Sequence, residues 1–223
     1  VLDESDFFRD GGDSIKAIQI TGILRRNGIT ALSAPDFLRK PRFADLCTLL
    51  ESAISGPSAV QPMDYTSVAP GEQVPLLPFA RYFLGAHPIH WQQFFMLLPL
   101  EIRADVPTAT IEAWLQTLPE NHESLRMAFA PDHAVLLAEP QKITLHCRDF
   151  ADTVEQTSLL RKAVAEITEG LDAACGKTLG AMLARQGKRR FLLLVGHHLA
   201  LDALSLETLR QGLLHYCRTG TAQ

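Results

Sequence analysis

The sequence predicts two domains of different class: a small all-α helical bundle, then an α/β lobe with a mixed sheet. Residues 55–73 are rich in Pro, Gly, Ser and small polar residues and show neither helical nor strand periodicity, which is typical of a linker. Before this stretch the apolar residues recur at helical spacing, whereas after it helical and strand patterns alternate. We therefore expect one domain in residues 1–54 and a second in residues 74–223.

Three helices are predicted in the first domain. The segment "SIKAIQITGILRRNG" places five apolar side chains close to one helical face, those of Ile15, Ile18, Ile20, Ile23 and Leu24. The segment "SAPDFLRK" indicates a second helix with Ser33 as its N-cap, and "PRFADLCTLLESAI" indicates a third with Pro41 in its first turn. At about 55 residues this domain is short for a bundle, and it begins in a loop, so we expect a further helix before it.

The second domain alternates between the two patterns. Helices are predicted at 76–85, 106–122, 157–171 and 204–217, and strands at 91–102, 124–130, 133–139, 142–149, 179–186 and 189–198. The last two strands flank the turn "GKR" and indicate a hairpin. Because this pair is antiparallel while strands and helices mix along the chain, a mixed sheet is expected.

Composition excludes several classes of function. The 223 residues carry a formal net charge of −4, and nucleic-acid binding would require a clearly basic face. No apolar run approaches the roughly 20 residues that span a bilayer, so we expect no membrane partner. Four scattered cysteines form no CxxC pair and have no metal-ligand spacing, which predicts neither a disulfide framework nor a metal site. The acidic start "VLDESDFFRD" lacks the features of a secretory signal, so the cytoplasm is the expected location.

A serine follows two glycines and an aspartate at the start of the first predicted helix. One interpretation is structural: Gly11 and Gly12 permit a tight turn, and Asp13 or Ser14 caps the helix. No histidine in the same segment could activate Ser14 as a nucleophile. The functional interpretation is therefore a serine modified by another enzyme, since the positive end of a helix favours an attached phosphodiester.

The segment "DFFRDGGDSIKAIQI" resembles the phosphopantetheine-attachment motif of the peptidyl carrier domains of nonribosomal peptide synthetases. The resemblance implies that Ser14, beside Gly12 and Asp13, carries 4′-phosphopantetheine, on whose thiol an aminoacyl or peptidyl group rides as a thioester. It also implies as partners a phosphopantetheinyl transferase and the adenylation and condensation domains of one assembly line. The sequence GGDSI followed by KAIQ resembles carrier domains that precede an epimerization domain, so Asp13, Ile15 and "KAIQ" imply an epimerization domain as the neighbour.

The segment "LLLVGHHLALDALSLETL" holds the second candidate site. A buried strand that ends in two histidines can project an imidazole into a cleft as an acid or base. The structural alternative is that His197 and His198 bond to backbone groups and Asp202 caps the next helix. Zinc is a third alternative, but the pattern HHxxxD without further ligands favours it weakly.

This segment is similar to the HHxxxDG motif of the condensation and epimerization superfamily, whose two-lobed fold is like that of chloramphenicol acetyltransferase. The segments "VPLLPFARYF", "HPIHWQQFFMLLP" and "NHESLRMAF" resemble further motifs of the superfamily in order. The resemblance implies that His198 is catalytic, that His197 is mainly architectural, and that Asp202 forms a structural ion pair with Arg126. It identifies residues 74–223 as the N-terminal lobe, with the second acid or base, a glutamate, in the C-terminal lobe. The fragment alone is therefore expected to be inactive.

Three positions depart from the family pattern: Ala203 stands where the motif has Gly, Ala80 where the opening motif has Gln, and Leu206 where epimerization domains have Trp. Two other interpretations consequently stay open. The lobe could belong to a condensation domain, with His198 assisting amide formation between carrier-bound substrates, or it could be a degenerate lobe that serves for docking.

Overall fold

The computed structural model describes residues 5–26, 29, 32–54, 68–86 and 89–222. The chain divides into two compact units, Val1–Thr66 and Ser67–Gln223. The boundary falls within the predicted linker, of which residues 55–67 lie outside the described residues. No helix in the described ranges is long and apolar enough to cross a membrane.

The first unit contains the three predicted helices, α1 (Ser14–Arg26), α2 (Ala34–Arg39) and α3 (Phe43–Ile54). They pack around the buried side chains of Ala17, Leu32, Phe37 and Leu46. Ser33 is the N-cap of α2, as predicted, and its backbone N–H donates to the Asp36 carboxylate at 2.9 Å.

The five apolar residues of α1 that were expected close to one helical face differ in burial. The side chains of Ile15, Ile18 and Ile23 are exposed, while Ile20 and Leu24 pack against the core together with the buried Ala17. The helix turns its smallest apolar residue inward, because a short side chain lets α1 approach its neighbours closely.

The second unit has seven strands and four α-helices in its described residues: β1 (Gln73–Pro75), α4 (Pro78–Ala86), β2 (Phe95–Glu101), α5 (Thr108–Asn121), β3 (Met127–Phe129), β4 (His133–Leu136), β5 (Leu145–Phe150), α6 (Gln156–Glu169), β6 (Leu179–Gln186), β7 (Arg189–His197) and α7 (Ala203–Thr219). The four predicted helices are confirmed, as are the six predicted strands, although β2, β3 and β4 are shorter than expected. The predicted starts of β2 and β3 are 3₁₀ helices, Trp91–Gln93 and Glu123–Arg126. Strand β1 was not predicted, because three residues are too few to give a pattern.

The strands form two sheets. The larger has the order β2-β7-β6-β5, with β7 antiparallel to β2 and β6, and β5 parallel to β6, so the mixed sheet and the β6–β7 hairpin are confirmed. Gly187 turns the hairpin at a φ of 56°, a conformation that favours glycine. The smaller sheet, β1-β4-β3, is antiparallel.

Strand β7 lies in the centre of the core. Its side chains alternate between two faces. Leu193 and Val195 pack on α6 on one face, and Leu192 and Leu194 pack on α5 and α7 on the other. A strand that is buried on both faces has apolar residues at consecutive positions, which explains the run "FLLLV" in the sequence. His197, which ends this strand, and His198, which follows it, therefore stand on a well-packed support.

Candidate functional site

Ser14 is the first residue of α1 and its side chain is exposed. Asp13 caps the helix, because its Oδ1 accepts a hydrogen bond from the Lys16 N–H at 2.8 Å. This hydrogen bond is the main cause that holds the pKa of Asp13 below its ordinary value, with the Lys16 ammonium group adding to it. Of the two predicted caps, the structure thus uses Asp13, and the Ser14 hydroxyl makes no hydrogen bond within the described part of the chain.

The loop before Ser14 has a fixed shape. Gly11 adopts a φ of 90°, in the region that glycine occupies without strain. Gly12 donates its N–H to the Phe7 carbonyl at 2.7 Å, and a Cβ at Gly12 would collide with that same oxygen. The Asp6 carboxylate in turn accepts from the Phe8 N–H at 3.0 Å. The two glycines are therefore required by the backbone path that presents Ser14.

The residues around Ser14 fit an attached phosphodiester. The hydroxyl lies at the positive end of a 13-residue helix, where unpaired N–H groups favour negative charge. The Lys16 ammonium group donates to the Gly11 carbonyl at 2.6 Å and lies 3.5 Å from Asp13 Oδ2, so a cation stands beside the acidic cap.

His197 is buried, with 1% of its surface exposed, and both of its ring nitrogens have partners. Nε2 donates to the Trp91 carbonyl at 2.8 Å, and Nδ1 accepts from the Leu199 N–H at 3.2 Å. These bonds assign the neutral ring with its proton on Nε2. Burial is the main cause that lowers the pKa of His197, because it disfavours the charged ring. His197 thus has no nitrogen left for a substrate.

His198 is half-buried, and one of its ring nitrogens has no hydrogen-bond partner among the residues that the structure describes. Its backbone N–H donates to the Phe94 carbonyl at 2.9 Å, and its Nδ1 bonds to the Leu201 carbonyl at 3.0 Å. Since a carbonyl only accepts, Nδ1 carries a proton, and in the neutral form of the ring the lone pair is then on Nε2. The ring stacks on Phe94 with centroids 5.0 Å apart and planes 9° apart, and it contacts the ring of Phe79 at 5.4 Å. The arrangement suits a base that acts through Nε2.

The expected ion pair between Asp202 and Arg126 is not formed among the described residues. Asp202 instead caps α7, and its Oδ1 accepts from the N–H and the hydroxyl of Ser205, each at 2.7 Å. Arg126 ends a short 3₁₀ helix, Glu123–Arg126, and its buried Nε has no partner in the described part of the chain. The correction has a simple physical reason: the N–H groups at a helix start bind the carboxylate locally without burying a charge.

Within the described ranges, no three His, Cys, Asp or Glu side chains are placed so that they could hold a metal ion.

Comparison with known families decides the assignment of the second unit. The family model "Condensation domain" matches residues 72–223, more than half of the chain. The chain belongs to the condensation-domain family. A second model, "Phosphopantetheine attachment site", matches residues 1–50. The condensation-family lobe thus follows a carrier domain of nonribosomal peptide synthetase type, whose cofactor is 4′-phosphopantetheine.

Curated relatives are large synthetases. Chondramide synthase cmdD of Chondromyces crocatus is 28% identical, and the match covers 96% of this chain and 6% of that protein. Cyclosporin synthetase simA of Tolypocladium inflatum is 27% identical, and the match covers 93% of this chain and 1% of that protein. The chain therefore spans less than a tenth of the length of these relatives.

Solved structures show the fold of the condensation-family lobe. The epimerization domain from the third module of tyrocidine synthetase B superposes with a TM-score of 0.60 at 16% identity, covering 70% of this chain and 36% of that chain. The X-domain from teicoplanin biosynthesis superposes with a TM-score of 0.52 at 19% identity, covering 70% and 35%. The lobe thus has the condensation-superfamily fold.

The three departures from the condensation-family pattern lie in different environments. Ala80 and Leu206 are buried in the core of the lobe, where their side chains contribute to packing. Ala203 is exposed in the first turn of α7, next to the capping Asp202.

The sequence analysis missed the aromatic residues that surround His198 in the condensation-family lobe. Phe79 and Phe83 stand four residues apart on α4, and Phe94 precedes β2. A signal was available in "LLPFARYF", where the i, i+4 spacing puts both rings on one helix face. The proximity of α4 to His198 is a tertiary feature that no local pattern contains.

Proposed function

We propose that Ser14 carries an aminoacyl or peptidyl thioester on 4′-phosphopantetheine and that the following lobe takes part in epimerization of the carried residue at its α-carbon. The observation that carries the proposal is the exposed Ser14 hydroxyl, free at the start of α1 and inside the segment that the phosphopantetheine model matches. The chain's partners are then a phosphopantetheinyl transferase and the adenylation and condensation domains of the same assembly line.

His198 supplies one proton-transfer group. When bound, the cofactor supplies the thiol that holds the amino acid as a thioester, and the thioester carbonyl makes the α-proton more acidic. With Nδ1–H on the Leu201 carbonyl, Nε2 of His198 can accept that proton, while the electron pair of the broken C–H bond moves towards the carbonyl. Inversion requires that a second group return a proton to the opposite face.

Two observations support epimerization. The carrier segment reads GGDSI followed by KAIQ, and the lobe shares its fold with the tyrocidine synthetase epimerization domain. Condensation is the second candidate, favoured by the description of the matching family model. In that reaction Nε2 of His198 would assist attack of an amine on a thioester.

The test of the carrier proposal is the intact mass of the 223-residue chain after incubation with coenzyme A and a broad-specificity phosphopantetheinyl transferase. We expect a gain of one phosphopantetheine group, which Ser14→Ala abolishes. The matched control is Ser33→Ala, which removes another serine at a helix start and should keep the gain. No gain in the folded wild-type protein, while a known carrier is modified in the same mixture, would contradict the proposal, as would an undiminished gain in Ser14→Ala.

A further inference from the structure

We propose that Phe94 and Phe79 are positioning residues, which hold the imidazole of His198 in the plane where Nδ1 meets the Leu201 carbonyl and Nε2 stays free. The geometric part stands on the structure of this chain alone, and its catalytic consequence rests on the proposed function.

Four rings form a closed cycle, the aromatic quartet of Phe79, Phe83, Phe94 and His198. The ring of Phe79 stacks on Phe83 at 6.1 Å, Phe83 stacks on Phe94 at 4.7 Å, Phe94 stacks on His198 at 5.0 Å, and His198 contacts Phe79 at 5.4 Å. Each ring thus touches two others, so none can tilt without disturbing both neighbours. Aromatic pairs at these separations attract each other beyond their apolar burial.

The phenylalanines of the aromatic quartet differ in burial. Phe83 is buried in the core of the lobe, with 8% of its surface exposed, and it fixes the quartet to α4. Phe79 and Phe94 remain 52% and 41% exposed. Large exposed apolar side chains beside one imidazole contribute little to the core, which favours a role at His198.

Phe94 controls His198 in two ways. Its carbonyl accepts the His198 backbone N–H at 2.9 Å, and its ring lies nearly parallel to the imidazole. The second side-chain torsion of histidine is broad and roughly two-fold, so a single hydrogen bond leaves the ring plane loosely defined. Stacking fixes the plane, and the Leu201 carbonyl then selects which edge of the ring faces it.

The neighbouring histidine is held differently. His197 meets Trp91 and Phe95 edge to face, with interplanar angles of 78° and 88°, and hydrogen bonds occupy both of its nitrogens. His198 has a hydrogen bond at one nitrogen only. Ring stacking takes the place of the second bond, and it does so without blocking Nε2.

The experiment is long-range proton–nitrogen NMR of the 223-residue chain with labelled histidine, at a pH well above the ordinary histidine range. In the wild-type protein we expect the Nδ1–H form of His198 and upfield carbon-bound ring protons, because they lie over an aromatic face. Phe94→Leu should lose the upfield shift and gain the Nε2–H form, whereas Phe94→Tyr should retain both features. Phe79→Leu, at a more exposed position, should show a smaller change of the same kind.

Two controls make the outcome decisive. Tyr82→Leu changes a residue of α4 that is 77% exposed and makes no ring contact with His198 among the described residues, so it should leave the His198 signals unchanged. The His197 signals, in the Nε2–H form, report whether each variant keeps the fold. Retention of the Nδ1–H form of His198 in folded Phe94→Leu and Phe79→Leu would overturn the proposal, because loss of the upfield shift alone records only the absence of the phenyl ring. A failure of the proposed function would look different. If His198 has no catalytic role, the His198→Ala variant of the extended synthetase keeps full activity, and the spectra of the Phe94 and Phe79 variants still change as expected.

Discussion

The carboxylate of Asp202 stabilises the start of α7 through the N–H and hydroxyl of Ser205. Replacing a capping Asp by Ala costs about 1 kcal/mol, so Asp202→Ala should lower the free energy of unfolding of the lobe by about that amount. Asp202→Asn should retain most of the stability, since Asn caps equally well. Urea unfolding monitored by Trp fluorescence would measure both differences.

The same carboxylate makes the stability depend on pH. Burial raises the pKa of Asp202, but the hydrogen bonds from Ser205 and Leu204 outweigh it, so the pKa is lowered. A carboxyl group with a lowered folded-state pKa stabilises the protein above its unfolded-state pKa, and this contribution disappears as pH falls through the folded-state value. Asp202→Asn should therefore flatten the acid limb of the stability curve.

Combining Asp202→Asn with Arg126→Met should give additive effects on the free energy of unfolding, whereas a clear coupling would indicate the ion pair that the sequence suggested.

The end of β7 depends on a neutral His197. Because burial lowers its pKa, the unfolded chain binds a proton more readily than the folded one, so stability should fall as pH drops below about 6.5 towards the folded-state value. His197→Leu should weaken this dependence, and what remains comes in part from His122, whose pKa burial also lowers. It should also cost roughly 1–3 kcal/mol at neutral pH, since the partly buried Trp91 carbonyl and Leu199 N–H lose their partner.

The control for His197→Leu is His146→Gln, on the exposed edge strand β5. It retains His197 and should keep the fall in stability. Thermal unfolding between neutral and mildly acid pH compares the two variants. A wild-type curve that His197→Leu leaves unchanged would contradict the assignment of a buried neutral ring.

Elements with strong periodicity were predictable, and elements fixed by tertiary contact were not. Helix α5 buries Ile111, Trp114 and Leu115 on one face, as its spacing predicted, and the apolar runs of β6 and β7 gave the hairpin. Strand β1 exists only because Gln73–Pro75 pairs with β4, a partner some sixty positions away. At the site, Ser14 begins α1 as the sequence indicated, whereas His198 directly follows β7 and is not its last residue. Two features of the site depend on three-dimensional distances that the sequence does not contain. Asp202 accepts hydrogen bonds from Ser205, and Phe79 of α4 contacts His198.

The proposed inversion requires proton-transfer groups on both faces of the α-carbon, and Nε2 of His198 in the lobe would be one of them. No carboxylate is hydrogen-bonded to His198 in the described ranges, where its neighbours are the Leu201 carbonyl and two phenylalanine rings. The lobe also covers only 36% of the tyrocidine synthetase epimerization domain structure.

We therefore predict that the 223-residue chain, loaded with an aminoacyl thioester on Ser14, takes up no solvent deuterium at the α-carbon above the uncatalysed rate. A protein extended to the full length of the domain should exchange the α-proton and release both enantiomers, and His198→Ala in that protein should stop the exchange. Mass spectrometry with chiral analysis of the released amino acid measures both quantities. If the extended protein instead joins the residue to an acceptor amine without exchange, the lobe belongs to a condensation domain. If the 223-residue chain does exchange the α-proton and its His198→Ala variant exchanges it equally fast, His198 takes no part in the reaction.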